Sequence, residues 1–205
     1  MKLSLIQKEL ENLFDILNDK YFQSKLPKTI IMIQSSGKKP KFGWFVLSDE
    51  VWKDSEDKEK YFEISISGEY LNRGIEKICA TLLHEMTHEY NYINGIKDTA
   101  NNMIYHNKRF KKSAEEHGLI INKDNRVGYG ISELNEEALM FVSTIEYDKE
   151  VFNYSRTIFM KPKIENKYKL YTYVCPKCDT KIKSKYDVGS YICGLCDTEF
   201  ELEVK

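Results

Sequence analysis

The sequence predicts an α+β domain followed by a small metal-stabilised ribbon, and three observations predict it. An amphipathic helix near the N-terminus is followed by three short β-rich runs and then by a second amphipathic helix, an order that builds a small sheet flanked by helices. The second helix carries His84, Glu85 and His88 in the pattern H-E-x-x-H. Near the C-terminus, Cys175-x2-Cys178 and Cys193-x2-Cys196 are separated by fourteen residues, which suits one four-thiolate zinc site. The expected division is residues 1–160 for the α+β domain and 161–205 for the ribbon.

Residues 3–21 place Ile6, Leu10, Leu13, Phe14, Leu17 and Tyr21 at helical spacing, and Leu26-Pro27 breaks the helix. Thr29–Gln34 is β-branched and reads as a strand. Lys38–Pro40 is a basic turn. Phe42–Val46 is a second strand, in which Gly43 marks a bulge or a close backbone approach. Residues 48–60 are highly charged and read as a solvated loop. Phe62, Ile64 and Ile66 alternate with Glu63, Ser65 and Ser67, the pattern of a half-buried strand.

In the motif helix, an advance of about 100° per residue gathers Ile75, Ile78, Cys79, Leu82, Met86, Tyr90 and Ile93 on one side. His84 and His88 fall opposite, flanked by Thr81 and Glu85, and Gly95 supplies the stop. Residues four apart share a helix face, so both imidazoles can point at one ion. Bound Zn²⁺ lowers the pKa of water from ~15.7 to about 7, and Glu85 is placed to take the proton. A catalytic zinc site needs three protein ligands and an open fourth position. His106 opens a helix read over residues 107–117, whereas His117 sits in its last turn, where the helix dipole alone explains a histidine. His106 is therefore the first choice for the third ligand, with Glu115 and Glu116 as alternatives. The close-spaced third histidine of metzincins is absent, since positions 94 and 98 hold Asn94 and Asp98. Helix, sheet, motif helix and ligand helix in that order suit a zincin-like domain, in which an exposed strand edge can hold an extended peptide.

Downstream, residues 96–105 are polar and turn-rich, and Asp98 can orient a ligand histidine or serve only as a turn residue. Phe110 and Ala114 would face the core. Residues 122–131, with Gly128 and Gly130, read as a loop; residues 132–145 read as a helix with Ser132 as N-cap, and residues 150–160 as a strand. In the ribbon, Tyr168–Val174 leads into the first cysteine pair, Tyr191-Ile192 into the second, and Phe200, Leu202 and Val204 form a closing strand.

The net charge of −1 gives no bulk attraction for nucleic acid, but its distribution is uneven. Residues 161–185 hold eight lysines and only two acids. Lys167, Lys169, Lys181, Lys183 and Lys185 are interleaved with Tyr168, Tyr171 and Tyr173 and followed by Tyr186. Charge with stacking aromatics is what single-stranded nucleic acid binding uses, although a solvated ribbon face has the same composition. No apolar run approaches the ~20 residues of a membrane span, and the N-terminal helix has acids inside it rather than a signal-peptide core. The expectation is a cytoplasmic monomer without membrane contact. Cys79, alone on the apolar face, reads as a packed small hydrophobe.

The segments HEMTHEYNYINGIKD, YHNKRFKKSAEEHGL and CPKC…CGLC, with the LP-x-T and FGWF strands, resemble the SprT-like (Spartan-type) zinc metallopeptidases over roughly residues 5–200. The resemblance implies that His84, His88 and His106 bind a catalytic Zn²⁺, that Glu85 is the catalytic acid/base, and that the four cysteines hold a structural Zn²⁺. It implies an endopeptidase acting on protein substrates, including proteins bound or crosslinked to DNA. The competing reading is a nucleic-acid-binding zinc protein with a degenerate domain, against which an intact Glu85 weighs.

Overall fold

A computed structural model describes residues 2–37, 40–48, 51–56, 58–101, 104–158, 170–187 and 189–203. The chain divides into two compact units, Met1–Ile158 and Phe159–Lys205.

The first unit opens with α1 (Leu3–Phe22), and the apolar residues at helical spacing are buried: Ile6, Leu10, Leu13, Phe14 and Leu17. The helix stops five residues before Pro27. Gln23 and Ser24 turn left-handed at φ 58° and 55°. The Asn18 side chain holds the turn from both sides, donating to the Leu26 carbonyl (3.1 Å) and accepting from the Leu26 amide (3.2 Å). A side-chain clamp, rather than proline, ends α1.

Four strands follow: β1 (Thr29–Gln34), β2 (Gly43–Phe45), β3 (Trp52–Lys53) and β4 (Lys60–Ser67). They form a mixed sheet of order β1-β4-β2, with β1 parallel to β4 and both β2 and β3 antiparallel to it. The short β3 lies where a loop was expected. Its anchor is Trp52, whose indole N–H donates to Glu63 Oε2 (2.8 Å). The half-buried reading of β4 is corrected too. Ile64 and Ile66 join the core, yet Glu63, Ser65 and Ser67 on the other face are also buried. Gln34 and Ser65 donate to the second Glu63 oxygen, so hydrogen bonds close the polar face.

A 3-10 turn, Gly68–Arg73, leads into α2 (Ile75–Ile93). This helix is buried on more sides than its apolar stripe: Leu83, Thr87, Glu89 and Asn91 are fully buried, while Ile93 is exposed. The reason is its central position, packed by α1, by β2 and β4 of the first sheet, and by the helices and strands between residues 108 and 143.

Beyond α2 come β5 (Thr99–Ala100), β6 (Tyr105–His106), α3 (Lys108–Glu116), β7 (Leu119–Asp124), β8 (Gly128–Leu134) and α4 (Glu136–Ser143). The strands form a second sheet of order β5-β6-β8-β7, in which β6 and β8 run parallel. Three expectations are corrected here. Residues 122–131 are part of a β7–β8 hairpin, registered Leu119↔Leu134 and Ile121↔Ser132. Ser132 is a strand residue, and the helix begins later, capped by Asn135, whose side chain accepts from the Ala138 amide (2.8 Å). The strand expected over residues 150–160 is a 3-10 turn, Lys149–Asn153, that buries Val151 and Phe152; residues 159–160 lie outside the described residues.

The second unit contains β9 (Tyr171–Val174), β10 (Lys181–Ser184), β11 (Ile192–Cys193), β12 (Thr198–Glu199) and β13 (Glu201–Leu202). β9 lies between β10 and β13, and β11 pairs with β12. The buried set is small: Tyr173, Cys175, Cys193 and Phe200. Tyr173 is therefore withdrawn from any stacking role. Lys38, Lys39, Lys161, Lys163, Lys167, Lys169, Tyr168 and Val204 lie outside the described residues. Among the described residues, no helix is long and apolar enough to cross a membrane.

Candidate metal centre

α2 presents His84 and His88 one turn apart. The third imidazole comes from β6, one residue before Asn107, whose side chain caps α3 by accepting from the Arg109 and Phe110 amides. A strand rather than a helix start thus aims His106. Its amide donates to the Val127 carbonyl (2.9 Å), and it pairs with Thr99 on one side and Gly128 on the other. The neighbouring strand comes so close that a Cβ on Gly128, which sits at φ +66°, would be 2.2 Å from the His106 carbonyl. A Cβ on Gly130 would be 2.8 Å from His106 Nδ1. Two glycines make room for one histidine.

The three Nε2 atoms form a nearly equilateral triangle: 3.1 Å from His84 to His106, 3.3 Å from His84 to His88, and 3.0 Å from His88 to His106. Zinc bound at about 2.0–2.1 Å in a tetrahedron separates its nitrogens by about 3.3 Å, so the set fits that ion. The far nitrogens confirm the orientation. His88 Nδ1 donates to Asp98 Oδ2 (2.7 Å) and His106 Nδ1 to the Val127 carbonyl (3.2 Å). His84 Nδ1 lies 2.6 Å from Ser132 Oγ. With the proton on Nδ1, the Nε2 lone pairs of His88 and His106 face one point, an arrangement that a cation relieves. The Phe110 ring, fully buried, packs against all three imidazoles at centroid distances of 4.5–4.7 Å.

Burial, then the neighbouring His88 and His106, hold His84 well below its ordinary pKa. Burial and His88 bring His106 down to about 4, against the opposing pull of the Val127 carbonyl and Asp98. Neutral imidazoles are the form that binds metal. Burial would push the Asp98 carboxyl up, but hydrogen bonds from His88 and Asn91 outweigh it and hold it down.

Glu85 is buried beside the triangle and turned toward the first sheet. Its Oε2 accepts from the Phe45 amide of β2 (2.9 Å). Burial pushes its carboxyl up to about 7, opposed by His88, the Phe45 amide and Lys41. The expected close approach at Gly43 is present: a Cβ there would meet Thr81 Cγ2 at 3.0 Å and Glu85 Cγ at 3.2 Å. Glycine lets an edge strand lie directly on the motif helix.

The alternatives fall away from the cluster. Glu115 and Glu116 face Lys111 and Lys112 on the outer side of α3, at 3.5 and 3.9 Å. His117 stacks on Phe22 at 4.2 Å, with Nδ1 2.6 Å from the Ser113 carbonyl, and Tyr90 packs against the same pair. Cys79 is buried, its thiol pushed up to about 12 by burial, as suits a packed hydrophobe. The roles of Ser132 and Val127 escaped the sequence reading because they depend on the β7–β8 hairpin, whose one signal was the paired Gly128 and Gly130; the contact of Phe110 with all three rings depends instead on how α3 docks.

In the second unit the four cysteine sulfurs lie within 4.8 Å of one another, and Cys178 Sγ is 3.6 Å from Cys193 Sγ. Zn–S bonds of about 2.3 Å imply a sulfur separation of about 3.8 Å, so these residues also fit zinc. The two knuckles match. Each closes on its first cysteine's carbonyl, with Asp179 N at 2.9 Å and Asp197 N at 2.8 Å, and each following aspartate is left-handed, at φ 56° and 51°.

No curated protein and no solved structure matches the chain. The SprT-like family matches residues 10–126, a span holding all three histidines of the triangle and Glu85. More than half of the chain is covered, and the chain belongs to the SprT-like family.

Proposed function

We propose that the protein is a zinc-dependent endopeptidase of the SprT-like type, cutting extended protein segments and, through its ribbon, proteins held on single-stranded DNA. The observation that carries this reading is the triangle of three Nε2 atoms beside one buried carboxylate. His84, His88 and His106 hold one zinc, and Cys175, Cys178, Cys193 and Cys196 a second, structural one. When bound at the histidines, zinc supplies Lewis acidity and brings the ionisation of water into the neutral range. Glu85 does the proton work. With Oε2 fixed by the Phe45 amide, Oε1 takes a proton from the attacking water and returns it to the leaving amine nitrogen. Burial, by raising this carboxyl to about 7, suits it to do both near neutral pH. The substrate segment lies along β2, whose outer edge is the end of the sheet order β1-β4-β2 and runs past Glu85.

The ribbon's part rests on Lys183 and Lys185 and on Tyr186, whose ring is 70% exposed, all on or just after β10. Lys181 pairs with Glu203 and contributes less. Lys167 and Lys169 extend the same basic stretch in sequence.

The test is cleavage of an unfolded protein by the zinc-loaded chain, with and without single-stranded DNA. Glu85→Gln is expected to keep zinc and lose activity by a factor on the order of 10²–10⁴. Full activity in that variant would refute the mechanism. DNA binding that weakens with salt but brings no cleavage would favour a non-proteolytic nucleic-acid-binding protein.

A further inference from the structure

A buried hydrogen-bond chain runs from α3 through α2 to the metal centre. Ser113 Oγ donates to Asn91 Oδ1 (2.7 Å), and Asn91 Nδ2 donates to Asp98 Oδ2 (3.0 Å). That same oxygen accepts from His88 Nδ1 (2.7 Å). His88 and Asn91 are three residues apart on α2, so both reach one oxygen from one helix face. Asn91 is fully buried and Ser113 and Asp98 are buried. The Asn91 carbonyl accepts from the Ile96 amide (2.8 Å), so the same residue also holds the turn that delivers Asp98. From the other side, the Asn107 amide donates to the Asp98 carbonyl (2.9 Å). Direction matters in this chain. The Ser113 hydroxyl can satisfy Asn91 Oδ1 only as donor, which leaves the amide Nδ2 for the carboxylate, and the carboxylate then accepts from His88.

We propose that Asn91 is a positioning residue of the metal centre: braced by Ser113, it fixes the Asp98 carboxylate so that His88 keeps its proton on Nδ1 and offers Nε2 to the metal. This rests on the reading of the histidine triangle as a zinc site. It adds that the docking of α3 on α2 is coupled through one amide to the orientation of His88. Groups that hold a ligand's partner tune metal affinity without touching the ion, and their loss costs about 10–100-fold.

The experiment uses the full chain with Asn91→Leu, Asn91→Asp and Ser113→Ala. Zinc affinity is read by chelator competition, with the four-cysteine site as internal reference, and the His88 tautomer by nitrogen NMR of the metal-free chain. Both Asn91 variants are expected to weaken the histidine site about 10–100-fold, leave the ribbon site unchanged and mix the His88 tautomers. Ser113→Ala should do the same more weakly. Affinity within twofold of the parent in both Asn91 variants overturns the proposal. So does weakened affinity in which His88 stays wholly in the Nδ1–H form while the metal-free melting temperature falls, since that marks a packing role. If the Asn91 variants do not fold, Ser113→Ala decides: unchanged affinity and tautomer overturn the proposal. A parent chain that binds zinc at the histidines yet cleaves nothing sinks the peptidase reading and leaves this one standing.

Discussion

Gly130 shows how much of this site is set by what is missing from a side chain. A methyl there would sit 2.8 Å from His106 Nδ1, 3.1 Å from its Cε1 and 3.2 Å from Val127 Cγ2, against a ring that is already held at its far nitrogen. Gly130→Ala is expected to displace the imidazole and lower zinc affinity at the histidine site at least tenfold, read by chelator competition, with the ribbon site unaffected. Gly37→Ala, where nothing lies within 4 Å but a φ of +70° strains the backbone, is expected to leave that affinity unchanged. At this scale, legibility in sequence followed spacing. His84, Glu85 and His88 are fixed by one helical turn, so their convergence could be read directly. His106 could be only a first choice, because its aim comes from a two-residue strand paired with residues some twenty positions on. Ser132 could not be found at all: a serine before two glutamates has the local chemistry of a helix cap, and the hairpin outweighs that preference.

α3 contributes more than a following helix would suggest. Its Phe110 ring packs against all three imidazoles, and it has no exposed area. Phe110→Ala should cost about 3–5 kcal/mol of stability, seen as a lower melting temperature, and loosen zinc at the same time. Elsewhere, the turn after β4 is tied down by Glu69. Burial pushes its carboxyl up, but hydrogen bonds from Ser35 and the Ser36 amide, with Arg156, outweigh this and hold it below its ordinary value. A carboxyl depressed in the folded state adds stability above its unfolded value, and loses it as pH falls through the folded one. Glu69→Gln is therefore expected to lower stability by about 1–3 kcal/mol at pH 7. The gap from the parent should narrow in melts run at pH values progressively below 4.5, the group's ordinary value. Among elements, α1 and α2 were readable because one periodicity runs through each, and β1 because its residues are β-branched. β7 and β8 were not: Asn122, Lys123, Asp124 and Asn125 with Gly128 and Gly130 carry turn chemistry, and only the pairing of Leu119 with Leu134 makes them a hairpin.

Across the whole chain, the two cysteine pairs and the histidine triangle ask different things of a metal. The first unit has a core that includes Leu10, Ile64, Leu82 and Phe110 and needs no ion to hold together. Among the described residues the second buries only Tyr173, Phe200 and two cysteines, so a metal held by its four cysteines, worth about 10–16 kcal/mol in comparable small sites, would supply most of its folding energy. Graded chelation should strip the three-ligand site first, abolishing cleavage while amide spectra of both units persist. Stronger chelation should then collapse the signals of residues 171–202 alone. Simultaneous loss of both units would contradict this order.

The hairpin has a practical corollary for anyone trimming the protein. A fragment cut after Arg126, where the family match stops, would still possess every imidazole and Glu85. It would have shed Val127, Gly128, Gly130 and Ser132, and with them the frame that keeps two of those rings from swinging. The shortest fragment that keeps the histidine site framed therefore ends no earlier than the close of β8, and boundaries drawn from motif letters alone would yield a domain that has its tools but no grip on them.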